Sequence, residues 1–293
     1  MVRLALCLLL AASPGSVSQE WERIKADGSL LWGEGWGTSV EEADRSALAA
    51  LASRISVAVV SNFRLVEEQL RSSKGDEHYV MQSNRTAATS CLTLSNTHRL
   101  VLKEGRRAHV GRWIRRDELD GLFSAREARV LEYEDSALRA EASGRVGDAL
   151  RYHWWAYALL RSLPRPADLR DEYGRMLLNT IPESIGAIFD DLKVSCVSRS
   201  GGTITLAFAF RGWTVSGIDY TYFDGTRWLS GQAVRAGRAS LEMAPGALAE
   251  TIQLRIEYAY AGEAMVDDEL ATAMVAMDTR PLKKSFIIFR ARL

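Results

Sequence analysis

Leu31 to Phe63, LWGEGWGTSVEEADRSALAALASRISVAVVSNF, is the stretch whose reading decides the fold. Leu30-Leu31-Trp32 is a short apolar strand, followed by Gly33, Gly35 and Gly37 with Trp36 between the last two. Glycine admits positive φ or lets another backbone approach closely, so these three predict a structural glycine turn. Thr38 precedes Glu41 by three residues, the spacing of a capping box. Val40, Ala43, Ala47, Leu51 and Ile55 then recur three and four apart and predict one buried helix face. From Ile55 the period changes to two, with Ile55, Val57 and Val59 alternating against Ser56, Ala58 and Val60. That change predicts a helix passing into a strand.

The glycine run does not read as a phosphate cradle. Gly33-Glu34-Gly35-Trp36-Gly37 departs from G-x-G-x-x-G and lacks the lysine and hydroxyl that close a P-loop. Glu34 would also repel an anion.

Working outward, Met1 to Ser18 has one charge, Arg3, then the apolar run Leu4 to Ala12, then Ser13-Pro14-Gly15 and the small residues Ser16-Val17-Ser18. This is the three-part pattern of a secretory signal peptide, with cleavage expected before Gln19. Nine apolar residues fall short of the roughly 20 that a membrane-spanning helix needs. Cys7 sits inside the apolar run rather than at its end, so lipidation there requires a start codon further upstream. Loss of Arg3 leaves 36 of the 37 basic residues against 37 acidic ones, a formal charge of −1. Nothing in that balance predicts a nucleic-acid partner. No later run reaches membrane-spanning length.

Leu65 to Gln82 is charged and reads as a helical excursion or a loop. Ala87 to Leu94, His98 to Lys103 and Ala108 to Ile114 read as strands, with Glu104-Gly105 turning the last two into a hairpin. His98 and His109 are expected to face each other across it, two metal ligands without a third, and hence solvated strand histidines.

The segments WGEGWGTSVEEADRSALAALASRISVAVVSNF and HVGRWIRRDELDGLF resemble the core of the Lpp-twenty family of bacterial envelope lipoproteins, over residues 28 to 125. The resemblance implies an α+β envelope module with no known catalytic residues. The chain departs from that family in having no well-placed lipid-attachment cysteine.

Asp117 to Ser143 reads as one long charged helix, broken by Gly144 and Gly147. Asp148 is expected to cap a second helix, Ala149 to Leu160, which Pro164 and Pro166 end. The pair resembles a single tetratricopeptide-type hairpin, with Ala137, Ala140 and Ala149 as its small residues. A further helix is expected from Ala167 to Leu178. Trp154, Trp155 and Tyr157 are the candidate partner-binding residues, although aromatics at helical spacing are more often core. Beyond Ile181 the strand-like runs are Leu192 to Val197, Thr203 to Phe210, Ile218 to Phe223, Ala239 to Met243, Ile252 to Tyr260 and Phe286 to Arg290. Gly201-Gly202 and Asp224-Gly225 punctuate them, which predicts an immunoglobulin-like β-sandwich. Asp267-Asp268-Glu269 lacks the alternating spacing of a calcium loop and reads as a helix cap or solvated loop.

The expected fold is therefore α+β. Residues 1–18 form a signal peptide, 19–125 an α+β sheet-and-helix domain, 126–180 a helical hairpin connector and 181–293 the sandwich. The four histidines, His78, His98, His109 and His153, accompany no G-x-S-x-G elbow, and no catalytic set, metal site or cofactor motif is evident. Cys91 and Cys196 lie too far apart in sequence, and too far from histidines, for a zinc site. The expected function is a non-enzymatic exported protein of the periplasm or outer membrane that binds another envelope protein or component. The rival is a secreted hydrolase using a carboxylate pair in an inter-domain cleft.

Overall fold

The computed structural model describes residues 14–70, 97–244, 251–257, 260–275 and 283–289. The chain is α+β, with helices and antiparallel sheets. It divides into two compact units, Met1–Gln69 with Leu92–Leu122, and Leu70–Cys91 with Phe123–Leu293. The apolar run of the expected signal peptide, the expected strand Ala87 to Leu94, His78 and Cys91 lie outside the described residues.

In the first unit, α1 (Pro14–Ala26) precedes β1 (Leu30–Gly37), α2 (Val40–Leu70), β2 (His98–Lys103) and β3 (Ala108–Arg115). The sheet is antiparallel with β3 at its centre, in the order β1-β3-β2. The three glycines do not form a turn. They occupy alternate positions of β1 and face α2. A Cβ on Gly33 would lie 2.3 Å from the Leu51 nitrogen, one on Gly35 2.1 Å from the Ala47 nitrogen, and one on Gly37 2.6 Å from the Ala43 nitrogen. Glycine at period two meets alanine at period four, so strand and helix backbones touch directly. Ala43, Ala47, Leu51 and Ile55 are completely buried as a result. The Arg112 guanidinium grips the Asp44 carboxylate with two bonds, at 2.7 and 2.8 Å, and ties α2 to β3.

The helix start is one residue later than expected. The Ser39 hydroxyl accepts from the Glu42 N–H at 3.2 Å, while the Glu42 carboxylate accepts from the Thr38 N–H and hydroxyl. The expected strand from Ile55 is absent, because α2 runs on to Leu70. Ile55 fits both periods, but it completes the buried stripe of the helix. Packing against the sheet thus overrides the β-propensity of the residues that follow.

In the second unit, α3 (Arg116–Ala142, from Phe123 onward) and α4 (Val146–Arg161) make the expected helical hairpin. Asp148 is not the cap. The helix begins at Val146, and Asp148 pairs with Arg145 and Arg151 in its first turn. Two glycines let the hairpin bend pack tightly within this unit: a Cβ on Gly144 would meet the Trp213 ring at 2.5 Å, and one on Gly147 the Gly217 carbonyl at 2.3 Å.

The expected helix Ala167 to Leu178 is also corrected. Pro166–Asp168 is a single 3-10 turn, and α5 spans Leu177–Asp191. Between them the Asp171 carboxylate accepts from the Tyr173 and Arg175 N–H groups, and Gly174 takes a φ of 77°. An aspartate that captures its own backbone in this way competes with helix.

The strands β4 (Leu192–Ser200), β5 (Thr203–Phe210), β6 (Trp213–Thr214), β7 (Asp219–Phe223), β8 (Trp228–Ala233), β9 (Arg238–Glu242), β10 (Thr251–Glu257) and β11 (Lys283–Phe289) form two antiparallel sheets. One runs β11-β10-β7-β8. In the other, β4 pairs one edge of β5 while β6 and β9 share its other edge. Inward residues alternate along β5 (Ile204, Leu206, Phe208, Phe210) and β10 (Ile252, Leu254, Ile256). The sheets are tied by the Tyr220 and Tyr222 hydroxyls, which donate to the Ser240 and Glu242 carbonyls, each at 3.2 Å. Gly201 and Gly202 have positive φ in the β4–β5 turn, and Asp224 caps the β7–β8 turn through the Thr226 and Arg227 N–H groups. Two short helices, α6 (Ala261–Ala264) and α7 (Asp268–Val275), lie between β10 and β11 in sequence. Cys196 in β4 is a half-buried free thiol.

Gly35→Ala drives a methyl group into the α2 backbone and is expected to cost about 3 kcal/mol or more. Gly28→Ala, where a Cβ meets nothing within 4 Å, is expected to be near neutral. Thermal unfolding of the two variants checks the contrast.

Candidate functional site

Because Gly33, Gly35 and Gly37 face α2, the period-two geometry of β1 places Trp32, Glu34 and Trp36 on the opposite side of the sheet. The β1–β3 register sets Trp32 beside Trp113, Glu34 beside Gly111 and Trp36 beside His109. On β2, His98 adds itself next to Trp113. Helix α1 covers the middle of this face with Trp21, which lies so close over Gly111 that a Cβ there would be 2.5 Å from the indole.

The result is a continuous aromatic face. Trp21 meets Trp32 edge-on at 6.0 Å and Trp113 at 6.1 Å. His98 stacks on Trp113 at 5.3 Å. The Arg54 guanidinium lies 3.4 Å from the Trp32 ring centre. At one end, Trp36 stacks on His109 at 4.6 Å with the two planes only 11° apart, yet Trp36 remains 60% exposed. One side of that indole is held by the imidazole while much of the rest faces water.

Glu34 anchors the face. Its Oε1 accepts from Trp21 Nε1 and lies 3.7 Å from Lys25 Nζ and 3.8 Å from His109 Nε2. Burial lowers the His109 pKa, Glu34 opposes that and Lys25 adds to it, so the imidazole is neutral at pH 7. The two strand histidines do not face each other as expected, since His98 registers with Trp113 and His109 with Lys103. Among the described residues no group of three or more His, Cys, Asp or Glu side chains is placed to hold a metal ion.

The three aromatics singled out from sequence belong elsewhere. Trp154 and Trp155 are core residues of the second unit, 3% and 7% exposed, and Tyr157 is half-buried. Trp155 packs edge-on against Tyr133 and Tyr152, and Trp154 contacts Tyr157. Sequence reasoning passed over Trp36, although one signal was present: an aromatic on the strand face opposite three glycines has no helix beneath it to bury it.

The second unit holds two buried charge clusters. His153 is completely buried on α4, its Nδ1 2.8 Å from Glu134 Oε2 and its Nε2 3.9 Å from Glu141 Oε2. Glu141 in turn takes Arg211 at 2.8 Å, and Arg211 also reaches Asp191 at 2.5 Å. Burial works against the imidazolium, but the Glu134 hydrogen bond and the two carboxylate charges outweigh it and raise the His153 pKa to about 9. A histidine held in its charged form has no ring lone pair free to accept a proton. In the other cluster Arg126, 1% exposed, bonds the Ser162 carbonyl and hydroxyl together with Glu269, while Arg129 holds Glu269 and Asp267. Asp267 Oδ1 accepts from the Leu270 N–H and caps α7, as the helix-cap reading expected.

The chain matches no family model, no curated protein and no solved structure. Among the described residues no helix is long and apolar enough to cross a membrane.

The raised His153 pKa stabilises the folded state fully below the unfolded value of 6.5, and that stability is lost as pH rises through about 9. Urea unfolding between pH 6 and pH 10 is expected to show a decline on the order of 3 kcal/mol from this group. His153→Gln is expected to be less stable at pH 6 and to flatten the decline.

Proposed function

We propose that this chain is an exported, non-enzymatic envelope protein whose first unit binds another envelope component through its aromatic face. The observation that carries the reading is Trp36, a large aromatic left 60% exposed yet fixed in orientation by its stack on His109. A rigid, half-covered indole loses little conformational entropy on binding and offers a large contact area, which is how aromatic anchors act at interfaces. Export rests on the signal-peptide pattern of Met1 to Ser18, with the periplasm or outer membrane as destination. The Lpp-twenty resemblance over residues 28 to 125 is in keeping with that location.

The second unit reads as an immunoglobulin-like sandwich joined to a tetratricopeptide-like hairpin. Its strand order fits that reading: β4, β5 and β9 take the places of strands A, B and E, and β7, β8, β10 and β11 those of C, C′, F and G. Against the hydrolase alternative, among the described residues Asp44, Asp117, Glu141, Asp171 and Asp224 have pKa values displaced downward by hydrogen-bonding and cationic partners. A glycosidase-type acid needs its pKa raised.

The test is site-specific photo-crosslinking in intact cells, with the reactive residue placed at Trp36 and, as a control, at Tyr173, which is 75% exposed in the second unit. A defined envelope adduct at position 36 and none at 173 is the expected result. Equal labelling at both positions, or none at either, counts against the reading.

A further inference from the structure

The free edge of β1 has the chemistry of a docking strand. Among the described residues, β3 pairs with one side of β1 and no strand pairs with the other. The Arg116 N–H donates to the Ser29 carbonyl at 3.0 Å, just ahead of the Leu30–Arg115 register. Antiparallel alternation then turns the backbone groups of Leu31, Gly33, Gly35 and Gly37 toward β3 and those of Trp32, Glu34 and Trp36 outward. The residues whose side chains build the aromatic face are thus the ones whose amide and carbonyl groups line the open edge.

The two edges of this sheet differ in a telling way. β2 has a bulge between Val101 and Lys103 and carries Arg99 and Lys103, the usual guards against unwanted pairing. β1 runs eight residues in unbroken register, without proline and with Glu34 as its one charge. Glu34 lies on the aromatic face, where Trp21, Lys25 and His109 approach its Oε1.

We infer that β1 receives an extended polypeptide strand of a partner protein, which pairs with the outward backbone groups of Trp32, Glu34 and Trp36. On the aromatic face the incoming strand sets an apolar side chain against the Trp36 indole and, two residues along, a lysine or arginine beside the Glu34 carboxylate. Charge disfavours pairing with β1 of a second copy, because β1 contains no basic residue to offer Glu34, and the basic edge strand β2 is interrupted by its bulge. The inference rests on the binding reading above and adds the partner's conformation and chemistry.

The probe is a short acetylated peptide in which threonine alternates with leucine and lysine, titrated into the full-length chain and followed by calorimetry. Two derivatives carry backbone N-methyl groups on one or the other alternating set of residues. Strand addition predicts that one set abolishes binding while the other leaves it intact, because alternate amides point toward and away from the edge. Glutamate in place of lysine and Trp36→Ala in the protein are each expected to weaken binding about tenfold. Absence of binding, or equal loss with both methylated sets, overturns the inference. So does a dimer seen in sedimentation that Trp36→Ala dissolves, which would give the edge to a second copy. A specific crosslink at position 36 combined with peptide insensitivity to the methylation pattern would leave the binding reading standing and remove strand addition alone.

Discussion

The contact between the β1 and α2 backbones is the constraint from which the rest of the first unit follows. Three glycines at alternate strand positions leave Leu31 as the one side chain on that face of β1, and Ala43 and Ala47 keep the first turns of the facing helix stripe small. Neither residue type contributes much apolar area by itself. What they supply is proximity, and close-packed backbones gain dispersion contacts along the whole length of the pairing. The same choice has a consequence on the reverse side. With α2 met by glycine, most of the bulk of β1 falls on Trp32 and Trp36, and among the described residues one helix, α1, covers that face of large rings.

That division explains why one tryptophan is exposed. Trp21 sits over Gly111, the one position on β3 small enough to receive it, and its indole N–H is bonded to Glu34. Coverage by α1 is therefore centred on the middle of the sheet, and the Trp36–His109 stack lies at one end of it. The neutral His109 holds the indole in place without adding charge. An exposed aromatic ring on a rigid strand, next to a carboxylate with one oxygen committed, is a better binding feature than the same ring on a mobile loop.

In the second unit, charged groups do the positioning. The His153–Glu134–Glu141–Arg211–Asp191 chain links α3, α4, the β5–β6 turn and the end of α5, and the Arg126–Glu269–Arg129–Asp267 cluster links α3 to the start of α7. Buried ion pairs add little net stability over an apolar core, but removing one partner strands the other at high cost. Their effect is to fix one arrangement of helices and sheets within this unit.

Periodicity determined much of this protein on its own. The α3–α4 hairpin, β5, the β2–β3 hairpin, and the turns at Gly201-Gly202 and Asp224-Gly225 follow from local residue order, because caps, turn glycines and alternation act over a few neighbours. Only tertiary structure decided the rest. Ile55 satisfies a helical and a strand period at once, and its fate depends on which surface it meets. Gly33, Gly35 and Gly37 are equally good as a turn or as a flat strand face until α2 is laid against them. Trp36 and Trp154 are the same side chain in amphipathic settings; one is exposed because the covering helix is centred elsewhere, the other buried because α5 and α7 close over α4. Burial is a property of the neighbours, and neighbours distant in sequence leave no local trace.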